Sequence, residues 1–145
     1  MTSNRPGPLA GIAVALAGFL FASPLSAQEF SPYTPRTGQG AYDQYNDAVW
    51  CGAVLERESE AAPDAERRSQ IDRGLNYARN FALFMLDSRD VVDPAGRILA
   101  ADHLPAAWEK ARAGWQAVLD TLAEKGETPE AEIARCLRIY GHDWD

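Results

Sequence analysis

Two cysteines, Cys51 and Cys136, have the most readily assigned chemistry in the sequence. Their spacing excludes a C-x-x-C redox motif, a C-x-x-C-H haem attachment site and a four-ligand zinc site. In an exported protein an even number of cysteines indicates a disulfide, and two cysteines allow a single pairing. We therefore predict a structural Cys51–Cys136 disulfide, to which a pair of buried free thiols is the alternative.

Three side chains offer atoms for non-covalent haem ligation, namely Met85, His103 and His142. Met85 belongs to the apolar stripe of a predicted helix, whereas His103 falls at a helix start and His142 falls in the C-terminal tail. Because these positions do not favour an axial pair, we predict that the protein carries no cofactor.

Aspartates recur every three residues where the second predicted helix ends, at Asp87, Asp90 and Asp93. Oxygen-rich clusters of this kind bind calcium in some loops. The segment lacks the Asp-x-Asp-x-Asp-Gly run and the spaced glutamate of a calcium loop. Since Arg89 and Arg97 supply counter-charges, we predict solvated loop charges and no metal site.

A catalytic base needs a partner that orients it. His103 and His142 each have an aspartate beside them in sequence, but adjacent residues point in different directions on a helix and seldom pair. Glu56 and Glu60 fall on a face that we expect to be solvated. No nucleophile motif surrounds the candidate serines, which are Ser59, Ser69 and Ser88. We predict no catalytic activity, and an unrecognised hydrolase is the second alternative function.

The second predicted helix carries an aromatic row beside its main apolar stripe. Tyr77, Phe81 and Phe84 are spaced by four and three residues, so they share one side of the helix. Such a row either widens the core, which is the commoner role, or forms an exposed patch that Arg73 and Asn80 would border as a polar rim. These five residues are our candidate contact with a partner or ligand.

Three glycines, Gly52, Gly74 and Gly114, fall inside predicted helices, where each costs about 1 kcal/mol relative to alanine. Close approach of two helices, or room for tryptophan rings, would offset that cost. A cavity for a small apolar ligand or a cofactor would also offset it. A ligand carrier that binds in the bundle interior is therefore the first alternative function.

Apolar periodicity predicts four helices that position these side chains. The most regular one spans Asp64–Arg89, and its stripe consists of Ile71, Leu75, Ala78, Ala82 and Met85. The other three are expected at Ala41–Ala61, at Leu104–Lys125, and from Pro129 to Tyr140 with Thr128 as the N-cap. A type I turn is expected at Asp93–Gly96 and a helical turn at Ile98–Ala101. Because the connections are short, we predict an all-α, up-down four-helix bundle with one disulfide.

The N-terminal residues have the pattern of a secretory signal peptide. Arg5 precedes an apolar run from Leu9 to Ala22, and small residues continue to Ala27. Cleavage after Ala27 would separate a signal peptide at 1–27, an extended Pro/Gly-rich leader at 28–40 and one helical domain at 41–145. Pro24 interrupts the apolar run before it reaches the roughly 20 residues of a membrane span. We therefore predict a periplasmic or secreted protein with no membrane span after cleavage.

The expected mature chain is acidic. It retains 13 of the 14 Lys and Arg residues and all 21 Asp and Glu residues, which gives a net charge of −8. This charge repels nucleic acids and anionic membrane surfaces and favours a soluble monomer. We predict a small exported helical protein that binds an unidentified protein or small molecule without catalysing a reaction.

Overall fold

The computed structural model describes residues 40–88 and 90–141. Within these ranges the chain is mostly helical and forms four α-helices, so the predicted all-α class is confirmed. The helices are α1 (Ala41–Ala61), α2 (Ala65–Ser88), α3 (Leu104–Lys125) and α4 (Glu130–Tyr140). The predicted signal peptide and residues 28–39 of the predicted leader lie outside the described residues.

α1 is the central helix of the domain. It contacts α2, α3 and α4, and α2 also contacts α4. Every residue from Asp47 to Leu55 is buried, so this part of α1 is covered on all sides. A helix that is apolar all round in this way belongs in the interior of a domain.

Two side-chain hydrogen bonds join α1 to α2 and to α4. Ser59, near the end of α1, donates a hydrogen bond to Asp72 near the start of α2. Tyr140, the last residue of α4, donates to Asp47 near the start of α1. The end of α1 thus lies beside the first part of α2, and the start of α1 lies beside the end of α4, whereas the up-down order of the four helices stays a prediction.

The connection between α2 and α3 contains a tight turn at Asp93–Gly96. The backbone N–H of Gly96 donates to the carbonyl of Asp93 over 2.9 Å, which confirms the expected turn. Gly96 has a φ of 79°, a conformation that glycine adopts without strain. Val92 and Ile98 form an antiparallel bridge, so the helical turn expected at Ile98–Ala101 is wrong. A 3-10 turn at Ala101–His103 precedes α3 instead.

A glycine ends α3, and α4 begins one residue later than predicted. Gly126 has a φ of 69°, and the N–H of Glu127 donates to the carbonyl of Leu122 over 2.9 Å, which closes α3. Thr128 bonds to the carboxylate of Glu130 rather than capping a backbone N–H. Pro129 occupies the N-cap position, one residue later than expected.

The predicted disulfide is present and joins α1 to α4. The Cα atoms of Cys51 and Cys136 lie 5.2 Å apart, and the two residues are separated by 85 positions in sequence. Closing a loop of this length removes chain entropy from the unfolded state, which is worth about 4 kcal/mol in the loop-entropy model. The bond therefore supplies a large part of the stability expected for a single small domain.

Two of the helical glycines allow close packing of side chains. A Cβ atom at position 52 would lie 1.9 Å from Cη2 of Trp108, so the indole ring of α3 occupies the space beside Gly52. At Gly74 the nearest atom to such a Cβ is Cδ1 of Leu55, at 3.1 Å, and a Leu137 methyl lies at 3.4 Å. These side chains fill the space that the interior-ligand hypothesis assigned to the two glycines.

We predict that Gly52→Ala destabilises the protein by about 1–3 kcal/mol, because the new methyl group overlaps the Trp108 ring. In a Trp108→Leu background the ring is absent, and Gly52→Ala should then stabilise α1 by up to about 1 kcal/mol through helix propensity. Urea unfolding of the four proteins of this cycle measures the coupling. An equal loss in both backgrounds would contradict the packing described above.

Candidate functional site

The candidate contact residues of α2 form a surface that we call the α2 aromatic face, made of Tyr77, Phe81 and Phe84 with Arg73 and Asn80 beside them. Phe84 is 58% exposed, whereas Tyr77 and Phe81 are half-buried. A large aromatic side chain in the last part of α2 therefore projects into solvent. Tyr77 and Phe81 therefore widen the core, whereas Phe84 belongs to the surface.

The half-buried members of the α2 aromatic face pack against α4. The ring centroids of Tyr77 and Phe81 lie 6.2 Å and 6.3 Å from that of Tyr140. These separations fall within the range of favourable aromatic pairs. The contacts fix the two rings, and Phe84 lies one helical turn beyond Phe81 on the same side of α2.

The two residues predicted to form the polar rim lie on the same helix. Arg73 and Asn80 are both exposed, and Nη1 of Arg73 donates to Oγ of Ser69 over 3.3 Å. Asp87 is exposed one turn after Phe84. Asp87 is therefore the charged residue of α2 one turn from the exposed ring, whereas Arg73 lies about three turns before it.

Sequence periodicity did not reveal a buried charge cluster between α1 and α4. Arg135 donates from Nη1 to Asp47 over 2.9 Å and from Nη2 to Glu132 over 2.8 Å. The hydroxyl of Tyr140 donates to Asp47 over 3.0 Å, and Nε1 of Trp50 donates to Glu132 over 2.5 Å. All five side chains are buried. The sequence feature that could have indicated this cluster is Asp47, an acidic residue at the start of an apolar run.

Burial and hydrogen bonding set the ionisation of this cluster. Burial raises the pKa of Asp47, although the charge and hydrogen bond of Arg135 oppose the rise. Burial lowers the pKa of Arg135, but the bonds and charges of Glu132 and Asp47 outweigh this effect and raise it overall. Burial also raises the pKa of Tyr140, which keeps its hydroxyl a neutral donor. The cluster therefore holds a charged guanidinium between two acids.

Two buried oxygen atoms near α1 lack a hydrogen-bond partner within the described ranges. They are Oε2 of Glu132 and the hydroxyl oxygen of Tyr45. An unsatisfied buried polar group costs about 1–3 kcal/mol. Favourable packing around α1, including the α1–α4 interface, has to offset this free-energy cost.

A second feature that the sequence did not reveal is a cavity of about 260 Å³ beside Trp108, which we call the Trp108 pocket. It lies where α1, α2 and the start of α3 meet. The guanidinium carbon of Arg79 lies over the Trp108 ring at 6.0 Å from its centroid, within cation–π range. The lining residues are Glu56, Arg79, Leu104, Pro105, Trp108, Glu109 and Arg112.

Glu56 is part of this pocket rather than of a solvated acidic face, so that expectation is wrong. Its Oε2 accepts hydrogen bonds from Nε1 of Trp108 over 2.6 Å and from Nε of Arg112 over 3.1 Å. Partial burial raises the pKa of Glu56, but the Arg112 and Trp108 bonds and the nearby positive charges outweigh it, so the pKa falls below its usual value. Glu56 is thus a fixed anion that orients Trp108 and Arg112.

The candidate haem ligands and catalytic residues do not come together in one site among the described residues. His103 is half-buried with its ring 6.3 Å from that of Tyr45, while His142 lies outside the described residues. Met85 is buried in the core. Within the described ranges the candidate serines bond to groups other than histidine: Ser59 to Asp72, Ser69 to Arg73, and Ser88 to the Phe84 carbonyl.

The three aspartates at and after the end of α2 do not form one cluster. Asp87 and Asp90 are exposed, whereas Asp93 is buried and accepts bonds from the backbone N–H of Ala95 and from the side chain of Arg97. The backbone and side-chain hydrogen bonds of Arg97 lower the pKa of Asp93. This carboxylate therefore stabilises the turn before α3.

Comparison with protein-family models, with curated proteins and with solved structures found no match to this chain. In the part of the chain that the structure describes, no helix is long and apolar enough to cross a membrane.

We predict that Arg135→Met lowers the free energy of unfolding by about 3–5 kcal/mol, because it leaves two buried carboxylates without their cation. The charge and hydrogen bond of Arg135 oppose the rise of the Asp47 pKa, so this pKa should rise further in the variant, and protonation of Asp47 at lower pH should relieve the cost of burying its charge. The deficit relative to wild type should therefore shrink between about pH 7 and pH 5. Chemical denaturation at both pH values measures it.

Arg138→Met is the matched control, because Arg138 is exposed on the same helix and its loss should change stability by no more than about 0.5 kcal/mol. Adding Asp47→Asn and Glu132→Gln to Arg135→Met removes the uncompensated charges and should recover most of the loss. A loss that persists unchanged in this triple variant would show that the ionic cluster is not its cause.

Proposed function

We propose that the protein is an exported, non-catalytic interaction module that binds a partner protein through the α2 aromatic face. The observation that carries this proposal is the 58% exposure of Phe84 beside the half-buried Tyr77 and Phe81. Aromatic residues at the centre of a contact contribute a large share of binding energy. Arg73 and Asn80 supply the polar rim that surrounds such an anchor.

The packing of the α2 aromatic face favours binding because it reduces the entropy lost on association. Tyr77 and Phe81 are held by Tyr140, which is itself bonded to Asp47. A partner would need to immobilise only the Phe84 ring. Preorganisation of this kind lowers the cost of forming an interface.

The partner is a protein with an apolar pocket and a basic rim. The expected mature chain carries 13 positive and 21 negative side chains, a net charge of −8. Asp87 and Asp90 are both exposed at the end of α2, close in sequence to Phe84. Opposite charges around the pocket would speed association and favour this partner over acidic proteins.

Export is part of the same proposal. The basic start, apolar run and small-residue site at 1–27 support a cleaved signal peptide. The Cys51–Cys136 disulfide is compatible with an oxidising compartment such as the periplasm or the extracellular space. The interaction would therefore take place outside the cytoplasm.

The test replaces Phe84 with the photo-cross-linker p-benzoylphenylalanine in the protein's own host. We expect a covalent adduct with a basic protein, because the substituted ring would lie inside the interface. Raising the salt concentration from about 0.1 M to about 1 M before irradiation should reduce its yield, since screening weakens the charge attraction. Mass spectrometry of the adduct identifies the bound protein.

Ala113 is the control position, because it is exposed on α3, away from the α2 aromatic face. Phe84→Ser should abolish capture of the same protein in a pull-down while changing the melting temperature little, since most of the side chain is already in water. Equal adducts at positions 84 and 113 would refute a specific contact. An adduct of twice the chain's own mass would instead show self-association.

A further inference from the structure

The Trp108 pocket combines an apolar wall with charged groups that the α2 aromatic face does not use. Leu104 and Pro105 at the start of α3 form the wall together with Trp108, which is 9% exposed. The lining also includes the ion pair of Glu56 and Arg112, in which the N–O distance is 2.6 Å. The pocket is therefore a hydrophobic surface bounded by fixed polar groups, as is usual for small-molecule sites.

The two arginines of the pocket differ in their partners. Arg112 pairs with both Glu56 and Glu109, so its charge is neutralised within the protein. Arg79 is exposed, and it helps to lower the pKa of Glu56 by its charge, but among the described residues it has no carboxylate oxygen within ion-pair distance. Its guanidinium is held near the pocket by the Trp108 ring, 6.0 Å from the ring centroid. A planar cation in this position matches a carboxylate group.

The arrangement of Trp108 prepares the pocket before any ligand binds. Glu56 fixes the indole N–H, and the far edge of the ring fills the space beside Gly52. The ring cannot rotate without losing both contacts. The pocket volume of about 260 Å³ lies below the range of roughly 300–1,000 Å³ for drug-sized ligands, so the ligand must be small.

We propose that the Trp108 pocket binds a small aromatic monocarboxylate. Its carboxylate pairs with Arg79, and its ring packs against Leu104, Pro105 and Trp108. The binding involves no covalent step. It is independent of the partner contact at the α2 aromatic face, since the two surfaces share no residue.

The test titrates sodium benzoate into the oxidised protein and follows the indole N–H signal of Trp108 by NMR, assigned by its loss in Trp108→Phe. We expect a saturable shift of this signal with a dissociation constant on the order of 1 mM, given the few atoms of the probe. The uncharged isostere benzamide should bind at least about tenfold more weakly, because it lacks the charge that pairs with Arg79.

Arg79→Gln should weaken benzoate binding about tenfold, whereas Arg67→Gln should leave it unchanged. Arg67 is the matched control, because it lies on the same helix and its guanidinium bonds to Gln70 instead. Arg79→Lys keeps the charge without the planar fork and should bind with intermediate affinity. No saturable shift in the wild type, or equal binding by the Arg79→Gln and Arg67→Gln proteins, would overturn the proposal.

Discussion

The structure depends on covering the buried segment of α1 from Asp47 to Leu55 on every side. That segment includes one charge, and an isolated buried carboxylate is far too costly to leave without a cation. Arg135 supplies the cation from α4, and the Cys51–Cys136 bond holds the same two helices together. α4 has only 11 residues, a length at which an isolated helix is marginal in water. Docking on α1 is therefore what stabilises α4.

Both proposed binding surfaces follow from this central helix. Tyr140, which is bonded to Asp47, supports Tyr77 and Phe81 and leaves Phe84 in solvent. On another side of α1, the bare backbone at position 52 admits the Trp108 ring, which shapes the small pocket beside Arg79. Binding groups on the surface are thus held by residues that also stabilise the core. A rigid surface of this kind loses little entropy on binding.

The sequence was sufficient for the helices and the disulfide because these depend on local periodicity and on a single possible pairing. The stripe of α2 and the glycine stop after α3 follow from local patterns in the same way. Long-range contacts left no periodic signal. Glu132 and Arg135 look in sequence like ordinary surface charges on a short helix, although both are buried. No local pattern indicates that Trp108 and Arg112 bond to Glu56, which therefore looks like a solvated acid. The exposure of Phe84 also required knowing where α4 ends.

Native-state hydrogen exchange of the oxidised protein tests most directly whether α4 and the centre of α1 form one cooperative unit. If the buried cluster and the disulfide join them, backbone amides of 133–137 and of 50–54 should exchange only through global unfolding, with equal opening free energies. The contrary result would be exchange of the α4 amides at opening free energies several kcal/mol lower, which would show that α4 opens locally while α1 remains folded.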